Sequence, residues 1–153
     1  MAIRNIVKYG DEVLTKKCRK VEVFDKRLES LIDDLFDTLY ESGGVGLAAP
    51  QVGVLKRVVV IDIDDDPIEL VNPEIIETSG EQVGPEGCLS YPGQYGMVKR
   101  PNKVKLKAQD RYGDWHEYEG EELLARAFCH ETDHLDGNMF MRMVDQWLEP
   151  DEQ

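Results

Sequence analysis

The segment HETDH at residues 130–134 constrains this chain more than any other part of its sequence, because it has the pattern H-E-x-x-H. Histidines four positions apart lie one turn apart on an α-helix, where two imidazoles can share a metal ion. We therefore predict a metal site on a helix that runs from about Gly120 to Leu135 and is stopped by Gly137.

Both histidines fall on the apolar face of this predicted helix. With a rotation of about 100° per residue, His130 and His134 lie within about 20° of Leu123, and Ala127 and Glu131 share the same sector. Two imidazoles and a carboxylate on a buried face cost several kcal/mol unless each is paired, and the sequence offers few counter-charges there. A metal ion removes that cost, which favours a metal site over a purely structural role for these residues.

Two histidines do not complete a metal site, so a third protein ligand is expected. Phe140 stands where a third histidine would complete the longer pattern H-E-x-x-H-x-x-G-x-x-H, and the short stretch after His134 leaves little room for a downstream glutamate ligand. The upstream candidates are Cys18, Cys88 and His116. Cys88 is the best placed, because it lies in a segment rich in glycine and proline, as many ligand residues do.

Apolar spacing predicts another amphipathic helix from Asp25 to Ser42, with Asp25 as its N-cap and Gly43 as its C-terminal stop. Residues 57–64 (RVVVIDID) contain the longest aliphatic run of the chain, at residues 58–61, and predict a buried strand. Residues 103–108 alternate lysine with apolar residues, as a half-exposed strand does. These segments predict a chain that mixes helices with strands.

The remaining segments complete this outline. Residues 110–114 are expected to turn the lysine-rich strand into a hairpin, and the glycine and proline content of residues 80–96 favours irregular loops and strand edges. A short third helix is predicted at residues 141–148. Strands followed by separated helices indicate an α+β fold, and the length of the chain predicts a single domain over residues 1–153.

The segment GVGLAA at residues 44–49 matches the dinucleotide-binding pattern G-x-G-x-x-A only formally. That pattern needs a strand before it and a helix after it, but here a predicted helix precedes it and Pro50 follows. We interpret the segment as a tight loop after the first helix. Its small side chains would let a ligand backbone approach, and Gln51 would offer an amide donor.

The charge balance excludes one class of function. The chain carries 18 lysines and arginines against 31 aspartates and glutamates, a net charge of −13. This argues against DNA or RNA binding as the main activity, which depends on clustered positive charge; the one candidate basic surface is the stretch at residues 99–107. No apolar run approaches the ~20 residues of a membrane span, and no secretory signal is evident, so we expect a cytoplasmic protein with no membrane partner.

Three segments together resemble the three motifs of the peptide deformylase family: GVGLAAPQ at residues 44–51, EGCLS at residues 86–90 and HETDH at residues 130–134. Their order covers most of the chain, and the short stretch between the first two motifs is similar to the bacterial type I group. The resemblance implies a peptide deformylase-like α+β fold, in which antiparallel strands pack around a central helix that bears the H-E-x-x-H motif.

The same resemblance implies an activity and a metal. The activity is hydrolysis of the N-formyl group from the initiator formyl-methionine of nascent polypeptides, with release of formate. Cys88, His130 and His134 would bind one divalent metal ion, usually iron(II) in the cell, although such ligands also accept Zn, Ni or Co. The ion would lower the pKa of a bound water and so supply hydroxide near neutral pH.

Three further residues receive catalytic roles from the resemblance. Glu131 would accept the proton of the attacking water and pass it to the leaving amine, as general base and then general acid. The Gln51 side-chain amide and the Leu89 backbone N–H would stabilise the developing oxyanion.

The expected substrate-binding residues come from three parts of the chain. The methionine side chain needs an apolar pocket, which we expect from the inner face of the motif-bearing helix and from the valine opposite it, with an arginine stem at the edge. The resemblance adds that the substrate backbone pairs like an extra strand with residues 45–46 and Gly87. The full set is Val45, Gly46, Gly87, Leu123, Arg126 and Ala127.

Some positions depart from the family pattern or have no assigned role. Cys129 stands where many members have glutamine, and Tyr95 stands where some have arginine, which leaves the preference for residues after methionine open. Arg100 is either a support for Glu86 or Asp133 or a solvated surface residue.

Two rival functions are an H-E-x-x-H metallopeptidase and a metal-binding relative without turnover. The first lacks a downstream ligand, and the intact Glu131, Gln51 and Cys88 count against the second. The expected partners are N-formylmethionyl nascent peptides and, through a transient contact, the ribosome.

Overall fold

The computed structural model describes residues 2–149, and within them the chain forms two α-helices and eight β-strands. The helices are α1 (Lys26–Ser42) and α2 (Leu123–Leu135). The strands are β1 (Gly46–Ala48), β2 (Val58–Ile63), β3 (Asp66–Ser79), β4 (Gln82–Cys88), β5 (Tyr91–Arg100), β6 (Lys103–Gln109), β7 (Trp115–Glu121) and β8 (Val144–Trp147). Short 3-10 turns lie at Glu12–Thr15, Ala49–Val52 and Phe140–Met143.

Helix α1 begins and ends where its sequence predicts. The Asp25 side chain accepts a hydrogen bond from the backbone N–H of Leu28 at 3.1 Å, which caps the first turn. Gly43 adopts a left-handed conformation with φ of 74°, and its N–H donates to the carbonyl of Leu39. The leucine and isoleucine face between these caps is buried against the sheet.

The larger sheet has the order β1-β2-β3-β6-β7, and its neighbouring strands are antiparallel. Strand β2 is covered on both faces, which explains its continuous apolar run. Val58 and Val60 pack in the core beneath α1, whereas Val59 and Ile61 pack in the core that contains the apolar residues of α2. Successive residues of a strand point to opposite faces of the sheet. Because a helix covers each face of β2, two residues on each face must be apolar, which gives four consecutive apolar residues.

The lysine-rich strand is β6, and its hairpin with β7 is confirmed. Its apolar residues face the core of α2, and its lysines point outward. The register places Lys103 opposite Glu121, Lys105 opposite Glu119 and Lys107 opposite Glu117. On the other side of β6, glutamates of β3 face Lys105 and Lys107, and a serine faces Lys103. The candidate basic surface is therefore flanked by acidic strands.

The expected loops at residues 80–96 are largely wrong, because β4 and β5 run through this stretch and form a second sheet of order β4-β5-β8. The glycines mark close contacts within the strands. A Cβ on Gly96 would lie 2.5 Å from the side chain of Val144 in β8. The pairing register of β4 and β5 shifts between Glu86 and Cys88, which indicates a β-bulge. The glycine and proline content of this stretch had suggested a loop instead.

The predicted third helix at residues 141–148 is also wrong. Phe140–Met143 forms a 3-10 turn, and Val144–Trp147 is strand β8, in which Trp147 pairs with Gly96 of β5. Pairing with β5 decides the extended conformation of Val144–Trp147, because so short a segment has little helical preference of its own.

Two boundaries differ from the sequence prediction for the same reason. Helix α2 begins at Leu123 rather than near Gly120, because Gly120 still pairs with Val104 of β6. The segment expected to be a tight loop contains β1, in which Gly46 pairs with Ile61 of β2. The α+β fold, with antiparallel strands around the motif-bearing helix, is confirmed. Within residues 2–149, neither helix combines the length and apolar character needed to cross a membrane.

Candidate active site

Cys88, His130 and His134 come together in the structure. The two histidines lie one turn apart on α2, and Cys88 ends β4. One ligand atom from each of the three residues lies within 4.8 Å of the other two, and the Cys88 Sγ is 3.3 Å from the Nε2 of His134. Both histidines are buried and the cysteine is partly buried. The other upstream candidates are elsewhere: His116 pairs with Asp110 at the surface.

The donor set fits a divalent transition metal ion. One thiolate and two imidazoles are ligands that Zn, Fe, Co and Ni accept, and three protein ligands leave a position for substrate or water. The Nδ1 of His130 is 2.6 Å from the Glu86 Oε1, which directs its Nε2 toward the cluster. Cys88, His130 and His134 could therefore hold a metal ion without a change of backbone.

Glu131 lies beside this cluster as a buried carboxylate. Its Oε2 is 4.0 Å from the Nε2 of His130, and its Oε1 has no hydrogen-bond partner among residues 2–149. Burial raises the pKa of Glu131 to about 7, although the nearby His130 opposes this. Gly46 makes room for the carboxylate, since a Cβ there would lie 2.7 Å from Oε2. A carboxyl group with this pKa can exchange a proton near neutral pH.

Glu86 also belongs to the site, although the sequence predicted it only as a possible partner of Arg100. Its carboxylate is 5% exposed and accepts hydrogen bonds from Arg100 and Arg126 as well as from His130. Burial by itself raises its pKa, but the hydrogen bonds from His130 and Arg100 outweigh burial and hold the pKa of Glu86 well below its usual range. The signal available in the sequence was its place two residues before Cys88.

The role left open for Arg100 takes a definite form in the structure. Arg100 is 5% exposed, donates two hydrogen bonds to Glu86 and pairs with Asp133 at 2.8 Å. It links β5 to β4 and to α2. The alternative of a solvated surface arginine is wrong, because Arg100 is buried and pairs with two carboxylates. Neither the burial nor the two partners can be seen in a single sequence.

Gln51 and Leu89 line the same cleft as Cys88. The Gln51 side chain is 1% exposed, and its Oε1 accepts from the backbone N–H of Ala48 at 2.9 Å. Its Nε2 donates to the Ser90 Oγ at 3.1 Å and to the Cys88 Sγ at 3.5 Å. This fixes the amide with its nitrogen toward the cluster. Leu89 lines the same cleft directly after Cys88.

A cleft with a volume of about 380 Å³ opens above the cluster. Strands β1 and β4 border it, and each is an edge strand of its sheet, so their outer backbone groups face the cleft. Leu123 is half exposed at the mouth, whereas Ala127 and Arg126 are buried in the wall. All the expected substrate-binding residues line this cleft: Val45, Gly46, Gly87, Leu123, Arg126 and Ala127.

The two other cysteines lie in the hydrophobic core rather than in the cleft. Cys18 and Cys129 are both buried, and burial raises the pKa of each thiol to about 11. Tyr95 lies at the rim of the cleft, where its ring covers Gly87 closely enough that a Cβ on the glycine would lie 2.5 Å from it.

The fold and the site define a class of protein: a hydrolase whose H-E-x-x-H helix is joined by a cysteine from a separate sheet. Comparison with known proteins identifies the family. The polypeptide deformylase profile matches residues 3–149. Peptide deformylase 1 of Clostridium acetobutylicum is 61% identical over 141 residues, which cover 92% of this chain and 94% of that protein. A peptide deformylase of Lachnoclostridium phytofermentans is 58% identical over 147 residues, or 94% of this chain and 90% of that protein.

Solved structures agree with the sequence comparison. The crystal structure of a peptide deformylase from Legionella pneumophila matches with a TM-score of 0.91 and 49% identity, and the match covers 94% of this chain and 86% of that one. A peptide deformylase from Synechococcus elongatus in complex with actinonin matches with a TM-score of 0.91 and 39% identity, over 97% of this chain and 82% of that one.

This chain belongs to the polypeptide deformylase family. Enzymes of this family remove N-formyl groups from nascent peptides in a metal-dependent reaction, and the chain is a hydrolase of this kind.

Proposed function

We propose that the chain removes the formyl group of the initiator methionine in the cleft above Cys88, His130 and His134, with Glu131 as the residue that moves protons. One observation carries this assignment of residues. A buried carboxylate with an unpartnered oxygen among residues 2–149 lies beside three clustered ligand atoms, and Cys88, His130 and Glu131 line one cleft. That arrangement has no structural use that would offset the cost of burial.

Cys88, His130 and His134 are the proposed ligands of one divalent metal ion, which is iron(II) in the cell; Zn, Ni and Co are ions that the same donors accept. The bound ion supplies a Lewis acid, which polarises the formyl group and lowers the pKa of the attacking water. Glu86 supports the site by orienting His130 through its 2.6 Å contact with Nδ1.

Glu131 is the proposed general base and acid. Its Oε1, which has no partner among residues 2–149, accepts the proton of the attacking water, and the same carboxyl group then gives a proton to the leaving amine of methionine. Burial holds its pKa near 7, so the group can take up and release a proton at neutral pH. Gly46 leaves room for this carboxylate, because a Cβ there would lie 2.7 Å from its Oε2.

Gln51 and Leu89 are the proposed donors to the oxyanion that forms on the formyl oxygen. The Gln51 amide is held by Ala48 and Ser90, so its nitrogen is already aimed toward the cluster before substrate binds. A donor that needs no reorganisation is worth more in the transition state than a mobile one. The Leu89 backbone N–H would provide the second hydrogen bond.

The peptide backbone of the substrate is proposed to pair with the two edge strands. Val45 and Gly46 lie at β1, and Gly87 lies in β4, so an extended peptide between them would extend both sheets. The methionine side chain would enter between Leu123, Ala127 and the stem of Arg126. Backbone pairing reads the extended shape of the peptide, which suits an enzyme that acts on many nascent chains.

The cytoplasm is the proposed location, since nascent formylated chains arise there. A transient contact with the ribosome is proposed without an assigned surface, because each lysine of β6 faces a glutamate of β7 and two of them also face glutamates of β3. Co-sedimentation of the protein with purified ribosomes at low and high salt tests the contact. An absence of co-sedimentation at low salt would contradict it.

The assignment is tested by formate release from a formyl-Met-Ala peptide. Protein purified without oxygen is reconstituted separately with Fe(II), Ni(II) and Zn(II), and each sample is also assayed after treatment with a chelator. We expect rapid turnover that the chelator abolishes, with Fe(II) or Ni(II) above Zn(II). No turnover with any metal, despite one bound ion per chain, would favour the metal-binding relative without activity.

A further inference from the structure

Arg126 has a second environment that its expected role in the substrate pocket does not explain. Its side chain is 7% exposed, and its guanidinium lies against the β4–β5 hairpin. Nη1 donates to the Glu86 Oε2 at 2.7 Å and to the carbonyl of Val98 at 3.1 Å. Nη2 donates to the Gln82 Oε1 at 3.3 Å. Only the aliphatic stem is left to line the cleft.

The Glu86 carboxylate receives four hydrogen bonds, two on each oxygen. Oε1 contacts the Nδ1 of His130 at 2.6 Å and the Nη2 of Arg100 at 2.6 Å. Oε2 contacts the Nε of Arg100 at 3.0 Å and the Nη1 of Arg126 at 2.7 Å. Arg126 and His130 therefore hold opposite oxygens of one carboxylate. A carboxylate held on both oxygens cannot rotate without breaking a charge-assisted bond.

The two α2 residues that hold Glu86, Arg126 and His130, lie four positions apart, so their side chains project from the same face of the helix. Glu86 belongs to β4, which ends two residues later at Cys88. The contact thus joins the helix that carries two candidate ligands to the strand that carries the third. Gly84 makes the contact possible, because a Cβ there would lie 3.0 Å from the Nη2 of Arg126.

We propose that Arg126 is a positioning residue of the metal centre: it clasps the Glu86 carboxylate together with His130 and so sets α2, with its two histidines, against Cys88. The proposal rests on the metal site of the proposed function and assigns Arg126 no contact with the reacting atoms. Arginine suits this position because its planar fork reaches the carboxylate, a carbonyl and an amide oxygen at the same time, which a lysine cannot do.

The test compares the Co(II)-loaded parent with Arg126→Met and Arg126→Lys. Methionine keeps an apolar stem in the cleft wall and removes the guanidinium, whereas lysine keeps the charge and loses the fork. The control is Arg111→Met, which removes another arginine held by two carboxylates, Glu69 and Asp33, whose residues lie outside the cleft. The measurements are the rate of Co(II) transfer to EDTA, the visible absorption of bound Co(II), and kcat and KM for formyl-Met-Ala.

We expect Arg126→Met to speed the loss of Co(II) by about 10- to 100-fold and to change the Co(II) spectrum, since outer partners of metal ligands have effects of this size. The value of kcat should fall while KM changes less than about threefold, because the stem is retained. Arg126→Lys should recover part of the loss. Arg111→Met should leave the metal readouts unchanged even if both methionine variants lower the thermal midpoint equally.

A double variant decides whether Arg126 acts through Glu86. In a Glu86→Gln background, Arg126→Met should speed the loss of Co(II) by less than about twofold, as expected for coupled residues. Full, independent effects of the two substitutions would overturn the proposal, and so would an unchanged Co(II) spectrum and release rate with a raised KM in Arg126→Met. Because Co(II) release needs no turnover, this result stands apart from a failure of the parent to release formate.

Discussion

The two helices bury faces of opposite character. Helix α1 buries mainly leucine and isoleucine, and its two buried polar residues, Asp34 and Thr38, accept hydrogen bonds from residues 2 and 4 of the N-terminal segment. Helix α2 buries Arg126, His130, Glu131 and His134 among its apolar residues. Each of these polar groups needs a partner or pays the cost of desolvation. The partners come from β4 and β5, so α2 depends on distant strands in a way that α1 does not.

This difference separates stability from chemistry within one fold. The face of α1 gains free energy mainly from the burial of leucine and isoleucine, at about 25 cal/mol per Å² of apolar area. The face of α2 gains less free energy from burial, because it also buries polar groups that serve only the reaction. Substitutions in α1 should therefore lower the free energy of unfolding with little effect on turnover. Substitutions of the buried polar residues of α2 should lower turnover with little effect on the free energy of unfolding.

The strongest test replaces the carboxylate of α2. Glu131→Gln keeps the shape of the side chain and removes the base, so kcat should fall by about 10²- to 10⁴-fold. One metal ion per chain should still bind, and the free energy of unfolding should hold or rise because Oε1 has no partner among residues 2–149. Formate release and metal content measure both effects, with Glu119→Gln on β7 as the control. Activity within tenfold of the parent would exclude Glu131 as the base.

The matching test in α1 removes a fully buried leucine. Leu35→Ala leaves a cavity beneath the helix, which should lower the free energy of unfolding by about 2–5 kcal/mol. Turnover per folded molecule should stay within twofold of the parent, since Leu35 does not line the cleft. Chemical denaturation and formate release measure the two quantities. The exposed Val23→Ala is the control, and a large loss of kcat in Leu35→Ala would break the separation between the helices.

A third test changes the neighbour of the α2 carboxylate rather than the helix. In Gly46→Ala the new Cβ would lie 2.7 Å from the Glu131 Oε2 and push it aside. A displacement of this kind should lower kcat/KM by about 10²-fold. Gly53→Ala is the control: it strains a backbone with φ of 84° but meets no heavy atom within 4 Å, so it should lower stability and leave kcat unchanged. Equal kcat in both variants would contradict the role of Gly46.

The N-cap of α1 gives a smaller effect. Asp25→Ala removes the side-chain hydrogen bond to the N–H of Leu28, which should lower the free energy of unfolding by about 1 kcal/mol. Asp25→Ser keeps a capping oxygen and should recover most of that loss. Thermal unfolding at matched metal content measures both variants, and an Asp25→Ala protein as stable as the parent would show that the cap contributes nothing.

The N-cap of α2 should respond in the opposite direction. Glu122 makes no side-chain cap and has φ of 57° with ψ of −121°, a conformation that favours glycine. Glu122→Gly should therefore raise the free energy of unfolding by about 0.5 kcal/mol, after the entropy of the unfolded glycine is counted. Asp65→Gly, at an ordinary left-handed position of φ 59°, should gain less. A loss of stability in Glu122→Gly would refute the strain.

Local patterns were enough to predict the elements that depend on local energies. The caps of α1 lie at Asp25 and Gly43 as expected, and β2 and β6 follow the apolar patterns of their segments. The stretches at residues 80–96 and 141–148 were predicted wrongly. Their conformation depends on the β4–β5 hairpin and on the pairing of β5 with β8, which follows in the chain only after β6, β7 and α2. The glycine, proline and aromatic residues of those strands do not show the alternation of apolar and polar residues that predicts a strand.

The sequence by itself determined that His130 and His134 lie on one face of one helix, because a helix repeats every 3.6 residues whatever surrounds it. It also carried the three motifs by which the family resemblance was stated. Only the tertiary structure decided that Cys88 lies 3.3 Å from His134 and that Arg100, Arg126 and His130 meet on Glu86. These contacts join residues 14 to 46 positions apart in sequence, and their geometry follows from how α2 packs on two sheets rather than from any local rule.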